Sequence, residues 1–187
     1  MIFKRKNGKI KQRGSSLIES LVSLVVLSFG TIGVAGLQVT SKQANLEAQQ
    51  QLIATFLAND MVEKMRNNSG VLDTYAGENV GGSSISSQPL PNCSGVNACT
   101  AVQLASQDRW LWEQGIDGAT IKKGIINTGG LVSPKGCISN NNGQVQIVIS
   151  WYGKDSLSDV GTGTNGVSDC GTAGDNRRQI VIDTFIS

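Results

Sequence analysis

The sequence predicts an α+β fold in which one long amino-terminal helix is followed by a small, disulfide-bonded head with an antiparallel β-sheet. Three observations support this prediction. An uncharged apolar run from Ser20 to Ser41 continues into an amphipathic helical pattern, all four cysteines follow that run, and two strand-like segments lie near the carboxyl end. With 187 residues, the chain is long enough for one globular domain and an appended segment.

A short basic segment that ends in Gly14 precedes the apolar run. It contains 6 of the 16 basic residues of the chain: Lys4, Arg5, Lys6, Lys9, Lys11 and Arg13. The basic residues that remain are outnumbered by the 14 acidic residues, all of which lie after this segment. A mildly acidic body gives no electrostatic reason to expect nucleic-acid binding.

The uncharged run from Ser20 to Ser41 is long enough for a membrane span, because 22 residues extend about 33 Å as a helix and a bilayer core is about 30 Å thick. The basic residues before it would keep the amino end in the cytoplasm. An ordinary secretory signal is the alternative, but its apolar part has about 7–15 residues and ends at a small-residue cleavage site. Glu19 is unusual for a plain anchor, since a charge at a membrane helix centre costs about 2.5–3.5 kcal/mol.

The helical period continues past the span until 67–70, where the sequence Asn-Asn-Ser-Gly indicates a helix end. The predicted helix therefore runs from about Ser15 to Asn67, with Glu47 among the charged residues of its polar faces. The predicted apolar stripe, which must lie against a globular body, consists of Ala44, Ala48, Leu52, Ile53, Phe56, Leu57, Met61 and Met65. Three glycines in the span (Gly30, Gly33 and Gly36) fit close helix packing or local melting equally well.

The four cysteines indicate an oxidising compartment and two disulfides. Three pairings are possible, and we favour Cys93–Cys99 with Cys137–Cys170. On the chain-entropy model, closing these two loops stabilises the folded state by about 2.4 and 3.8 kcal/mol, respectively. Free thiols or a zinc site are disfavoured, because the chain has neither a CxxC pair nor a histidine.

The carboxyl-terminal half of the head contains two strand signals. The segment Gln144–Tyr152 (QVQIVISWY) places Val145, Ile147, Ile149 and Trp151 on one face. The segment Arg178–Ile186 (RQIVIDTFI) repeats this pattern with Ile180, Ile182 and, less regularly, Phe185. The glycine-rich segment 153–176 between them predicts a solvated loop, whose four aspartates, Asp155, Asp159, Asp169 and Asp175, do not match the spacing of an EF-hand.

A short helix is predicted from Leu104 to Gln114, with its aromatic side chains packed onto the sheet. A sugar-binding site that uses Trp110 and Trp112 is the functional alternative for these residues. The chain has no histidine, which excludes Ser–His–Asp and Cys–His catalysis. We expect neither an enzyme nor a cofactor or metal site.

The amino-terminal third of the chain carries a family resemblance. A basic leader ending in Gly14, a glutamate (Glu19) at the fifth position after it, and the run SLIESLVSLVVLSFGTIGVAGLQ followed by FLANDMVEKMRNN resemble the prepilins and pseudopilins of type IV pilus systems. The two runs together also resemble PilV-type minor pilins. The resemblance covers about residues 13–68 and becomes diffuse after residue 70, where a D-x-x-x-W segment remains. Ser15 departs from the family, which usually has phenylalanine after the cleavage glycine.

The resemblance implies a type IV pilin fold with four segments: a cleaved leader (1–14), a membrane and filament-core helix (15–41), an amphipathic helix (42–68) and a disulfide-bonded head (69–187). Prepilin peptidase would cut between Gly14 and Ser15 and methylate the new amine. Glu19 would then pair with the amine of a neighbouring subunit and fix its register, because a buried carboxylate needs a partner.

The implied protein is a minor pilin. It would stay in the inner membrane with its head in the periplasm, and then join the pilus at the cell surface. Its implied partners are the prepilin peptidase, the inner-membrane assembly machinery, the other minor pilins, the major pilin and a tip adhesin, with roles in pilus assembly, adhesion and twitching motility. Two rival interpretations are a membrane-anchored periplasmic receptor or carbohydrate-binding module and a minor pseudopilin of type II secretion.

Overall fold

The computed structural model describes residues 16–82, 87–93, 98–119, 122–123, 126–127, 129–162 and 166–187. The contacts divide the chain into two compact units, one up to Ala44 and the other from Asn45 to Ser187. The basic leader, Gly14 and Ser15 lie outside the described residues.

The long helix, α1, runs from Leu17 to Asn67 and has 51 residues. It ends at the predicted stop signal, with Lys64 and Arg66 in its last turn, where positive charge is favourable for the helix dipole. Glu19 lies in the first turn, where negative charge is favourable.

The head combines two short helices with a four-stranded antiparallel sheet, which confirms the predicted α+β class. The elements that follow α1 are, in chain order, a 3₁₀ turn (Ser69–Val71), α2 (Leu72–Tyr75), β1 (Gly77–Val80), α3 (Ala101–Ile116), β2 (Lys122–Lys123), β3 (Ile126–Asn127), β4 (Lys135–Asn141), β5 (Gln144–Tyr152), a 3₁₀ turn (Val160–Thr162) and β6 (Arg177–Phe185). The main sheet has the strand order β1-β4-β5-β6, and β2 pairs with β3.

The central strand β5 has the predicted bounds, and its four predicted inward side chains are buried. β6 is shifted by one residue, and the inward orientation expected for Phe185 is wrong: this side chain is exposed. In the observed register Ile180 and Ile182 pair with Ile149 and Ile147 on the core face, which leaves Phe185 on the other face. The buried side chain at this end is Ile186, whose N–H donates to the carbonyl of Gly143.

Strand β4 was not predicted, because KGCISNN has no regular apolar alternation. Its partner β5 begins after the two-residue turn Asn142–Gly143, in which both residues have positive φ, 51° and 87°. Asn-Gly is the preferred pair for such a hairpin turn, because asparagine and glycine tolerate the left-handed conformation.

The buried face of α1 differs from the predicted stripe. The buried residues are Ala54, Ala58, Met61, Val62 and Met65, and Ile53 and Leu57 are partly buried. The other predicted members, Ala44, Ala48, Leu52 and Phe56, are exposed. The stripe was too wide: at about 100° per residue, Phe56 lies nearly opposite the line that joins Ala54 and Ala58.

Helix α3 begins three residues earlier than predicted, because Thr100 and Gln103 form a reciprocal capping box. Trp112 packs onto the sheet as predicted, over a glycine of β4: a Cβ at Gly136 would lie 2.5 Å from its ring. Trp110 is partly buried and lines a cavity with Val80 of β1, Pro89 and Arg109.

The glycine-rich segment between β5 and β6 is not simply a solvated loop. Arg177, only 1% exposed, forms an ion pair with Asp159 at 2.6 Å. Its Nη1 donates to the carbonyls of Ser168, Cys170 and Gly171 at 2.8, 3.3 and 3.4 Å. The segment is therefore folded around one buried guanidinium.

Candidate functional site

The first unit presents an apolar helix surface. Its large hydrophobic side chains are exposed along the whole segment: Leu17, Ile18, Leu21, Val22, Leu24, Val25, Val26, Leu27, Phe29, Ile32, Val34, Leu37 and Val39. Among the described residues, no heavy atom outside the helix's own backbone lies within 4 Å of where a Cβ on Gly30, Gly33 or Gly36 would project. Among the described residues, α1 is the one helix long and apolar enough to cross a membrane.

Several hydroxyl groups of this helix bond to its own backbone. Ser23 donates to the carbonyl of Glu19 and Ser28 to that of Leu24, both at 2.7 Å, and Thr40 donates to the carbonyl of Gly36 at 2.9 Å. These three hydroxyls are satisfied without water, which lowers the polar cost of placing the segment in lipid or in a packed helix bundle.

Glu19 is the exception in this segment. It is exposed, and it has no ion pair within the part of the chain that the structure describes. A carboxylate that enters an apolar environment without a partner is strongly destabilised. The residues proposed for processing, Gly14 and Ser15, lie outside the described residues.

The head is held onto the second half of α1 by the D-x-x-x-W segment. Asp108 and Trp112 are four positions apart, on one face of α3. Trp112 Nε1 donates to the carbonyl of Leu57 at 2.9 Å, and Asp108 Oδ2 accepts from the hydroxyl of Tyr75 at 2.9 Å. The amide of Asn68 donates to the Tyr75 hydroxyl at 3.1 Å. Burial and the Asp108 carboxylate raise the pKa of Tyr75, so it stays protonated and can donate.

Two disulfides stabilise the head, joining Cys93 to Cys99 and Cys137 to Cys170, the pairing favoured from the sequence. The second links β4 to the segment folded around Arg177, and Cys170 is fully buried. No group of three or more metal-ligating side chains occurs among the described residues.

Of the two tryptophans in the sugar-binding alternative, Trp112 is not accessible to a ligand. Trp112 is 1% exposed, and its indole N–H is already bonded within the core. It has no surface on which a sugar ring could stack.

Comparison with known proteins gives one match. Residues 36–110 match the family model described as Tt1218-like, Type IV pilin Tt1218. No curated protein and no solved structure matches the chain.

The long apolar amino-terminal helix, the small antiparallel four-stranded sheet and the two disulfides form a type IV pilin fold. The family match supports a pilin, a structural subunit that assembles with other pilins. The apolar helix also fits membrane anchoring before assembly.

Proposed function

We propose that the chain is a minor pilin, made as a prepilin whose basic leader is removed after Gly14. The observation that carries the proposal is Glu19, a carboxylate at the start of an apolar helix that has no ion pair among the described residues, whereas the hydroxyls of Ser23, Ser28 and Thr40 bond to the helix backbone. The family match at residues 36–110 does not include Glu19 and supports the pilin class independently of it.

Cleavage would create the partner that Glu19 needs. The new amine on Ser15 lies four positions before Glu19 in the sequence. If a neighbouring subunit is parallel to this one and shifted along the helix axis by four residues, its Ser15 amine lies at the level of this chain's Glu19 carboxylate. A single buried polar pair of this kind fixes axial register, because every other alignment leaves a charge unpaired. Methylation of the amine keeps its positive charge and leaves the pairing intact.

In the proposed pathway the chain first sits in the inner membrane with its head in the periplasm. It then joins other minor pilins in a tip complex that primes growth of the major-pilin fibre and presents an adhesin, in support of adhesion and twitching motility. The prepilin peptidase and the inner-membrane assembly machinery are its transient partners. The PilV-like sequence of residues 13–68 favours this role over a pseudopilin of type II secretion.

We expect Glu19→Ala to abolish incorporation into pili while leaving the chain in the membrane, because the amine of the neighbouring subunit is left without its partner. The measurement is the amount of the chain in sheared pili relative to the amount in membranes. Ser23→Ala is the matched control, since Ser23 is one turn away and its hydroxyl bonds only to the Glu19 carbonyl. Normal incorporation of Glu19→Ala, or recovery of the chain with secretion components instead of pili, would contradict the proposal.

A further inference from the structure

Strand β6 forms one free edge of the four-stranded sheet. It pairs with β5 along its whole length, from Arg177 opposite Tyr152 to Phe185 opposite Gln144, without a shift in register. All of these residues belong to the Asn45–Ser187 unit. A free edge presents a row of backbone N–H and C=O groups that can pair with the backbone of another chain.

The hydrogen bonds at the two ends of the β5–β6 ladder show which residues face outwards. The N–H of Ile186 donates to the carbonyl of Gly143 at 2.9 Å, and the N–H of Gly153 donates to the carbonyl of Asn176 at 2.8 Å. Because backbone groups alternate in direction along a strand, the even-numbered residues of β6 face β5. The residues that direct their N–H and C=O groups away from the sheet near the end of β6 are Val181, Asp183 and Phe185. Among the described residues, these outward groups have no hydrogen-bond partner.

The hydrophobic core is not closed at this edge. On the core face of the sheet, Ile147 and Ile149 of β5 are fully buried, whereas their cross-strand partners, Ile182 and Ile180, are only partly buried. A further strand beside β6 would place every second side chain next to these two partly buried residues. The edge therefore fits an extended segment with apolar residues at alternate positions.

The usual features that protect a free edge are missing from Val181–Phe185. This stretch has no proline and no bulge. Its one charged residue, Asp183, accepts a hydrogen bond from the side-chain amide of Gln146 on β5 at 2.9 Å, which holds the carboxylate over the sheet. The opposite edge strand, β1, is different, because it has four residues, a register shift and a left-handed residue, Asn79, with a φ of 52°. A regular partner strand therefore fits β6 better than β1.

A second copy of this chain is a poor partner for the same edge. The antiparallel register that uses all three outward residues pairs Val181 with Phe185 and places Asp183 opposite Asp183 of the other copy. Like charges directly opposite each other destabilise a strand pair. A strand with a basic or amide side chain opposite Asp183 avoids this repulsion and complements the carboxylate. The charge of the edge therefore favours a strand from a different protein.

We propose that β6 binds an extended strand of about five residues from a different pilus subunit, which adds to the sheet beside Val181–Phe185. The added strand carries apolar side chains next to Ile180 and Ile182, and a basic or amide side chain opposite Asp183. Its backbone pairs with the outward N–H and C=O groups of β6. The proposal rests on the pilin function proposed above and places a subunit contact in the head.

Amide hydrogen exchange tests this surface in the full-length chain, first isolated in detergent and then in sheared pili. In the isolated chain, we expect the outward amides of Val181, Asp183 and Phe185 to exchange faster than the inward amides of Ile182 and Thr184. In pili, the outward amides should slow by roughly tenfold or more, since each gains a hydrogen bond. The inward amides are the internal control, because their bonds to β5 are present in both samples.

Outward amides that are already slow in the isolated monomer, or that stay fast in pili, overturn the proposal. Slow outward amides that accompany a concentration-dependent dimer of the isolated chain would assign the edge to a second copy, and this result also overturns it. Absence of the wild-type chain from pili contradicts the pilin function itself. Presence in pili with fast outward amides contradicts only the added strand.

Asp183→Pro removes an outward N–H without removing a bond to β5, and edge strands tolerate proline at such positions. We expect incorporation of this variant into pili to fall roughly fivefold, the scale of one lost hydrogen bond. Asp183→Ala is the matched control, because it removes the carboxylate and its bond to Gln146 but keeps the backbone N–H, so its incorporation should fall less. If the melting temperature shows that Asp183→Pro is not folded, Val181→Pro replaces it at the other outward position. Normal incorporation of the folded proline variant, or an equal fall for the proline and alanine variants, overturns the proposal.

Discussion

The Cys137→Ser variant is expected to lower the free energy of unfolding of the head by roughly 2–5 kcal/mol, the usual cost of losing a native disulfide. The bond between Cys137 and Cys170 spans 33 positions, and on the chain-entropy model a closed loop of that length is worth about 3.8 kcal/mol. It also holds a buried cysteine against β4 and β5, where Cys170 Sγ lies 3.8 Å from the carbonyl of Val148. The measurement is denaturant unfolding of the detergent-solubilised full-length chain.

The Cys93–Cys99 bond provides the control, because it closes a loop of only six positions. Replacing that pair with serines should cost less, about 2.4 kcal/mol on the same model. Equal melting temperatures for the wild-type chain with and without a reductant would show that neither bond stabilises the head.

The second large effect is expected at Arg177. Arg177→Met keeps most of the apolar stem but removes the donors to the carbonyls of Ser168, Cys170 and Gly171. Leaving buried carbonyl oxygens without a donor should lower the free energy of unfolding by about 2–4 kcal/mol. Arg66→Met is the matched control. That side chain is half exposed and pairs with Glu63 on the surface, so its loss should cost about 1 kcal/mol or less.

The Arg177 pair also predicts a pH dependence. The hydrogen bond from Arg177 lowers the pKa of Asp159 below its ordinary value of 3.8, assisted by the backbone N–H groups of Gly174 and Gly161. A lowered pKa in the folded state gives stability that is present above the ordinary pKa and is lost as the pH falls through the folded value. Wild-type protein should therefore lose stability below about pH 4 more steeply than Arg177→Met. Parallel curves for the two proteins between pH 5 and pH 2 would contradict this assignment.

Periodicity alone predicted the elements that bury a regular apolar face. The bounds of β5 and the carboxyl end of α1 followed from the side-chain pattern, since alternation and a cluster of helix-breaking residues are local signals. The width of the buried face of α1 was less predictable. Leu52 and Phe56 are as apolar as the buried residues, and only the placement of the sheet leaves them exposed.

Two features were missed for different reasons. Strand β4 had a usable signal, the Asn142–Gly143 pair before a strong strand, which indicates a hairpin even when its first strand is polar. The sequence contained no signal that Arg177 is buried. Its partners lie 18 positions upstream at Asp159 and within a glycine-rich loop, and no local pattern specifies such a pairing.

The sequence alone predicted part of the candidate site. Glu19 is recognisable because a single charge interrupts an apolar run. Glu47 was placed among the polar side chains of the helix, because one acidic residue on an amphipathic helix gives no indication that one of its oxygens is buried. That property depends on Trp151, Arg178 and Gln179, more than 100 positions away along the chain.

The central claim is that the chain enters a fibre through the α-amine that cleavage creates on Ser15, which pairs with Glu19 of an adjacent subunit. The most direct test is mass spectrometry of the intact chain recovered from sheared pili. The account predicts a mature chain that begins at Ser15, with or without a methyl group on its amine. A chain that still carries residues 1–14 in functional pili would contradict the account, because the partner of Glu19 could not then exist.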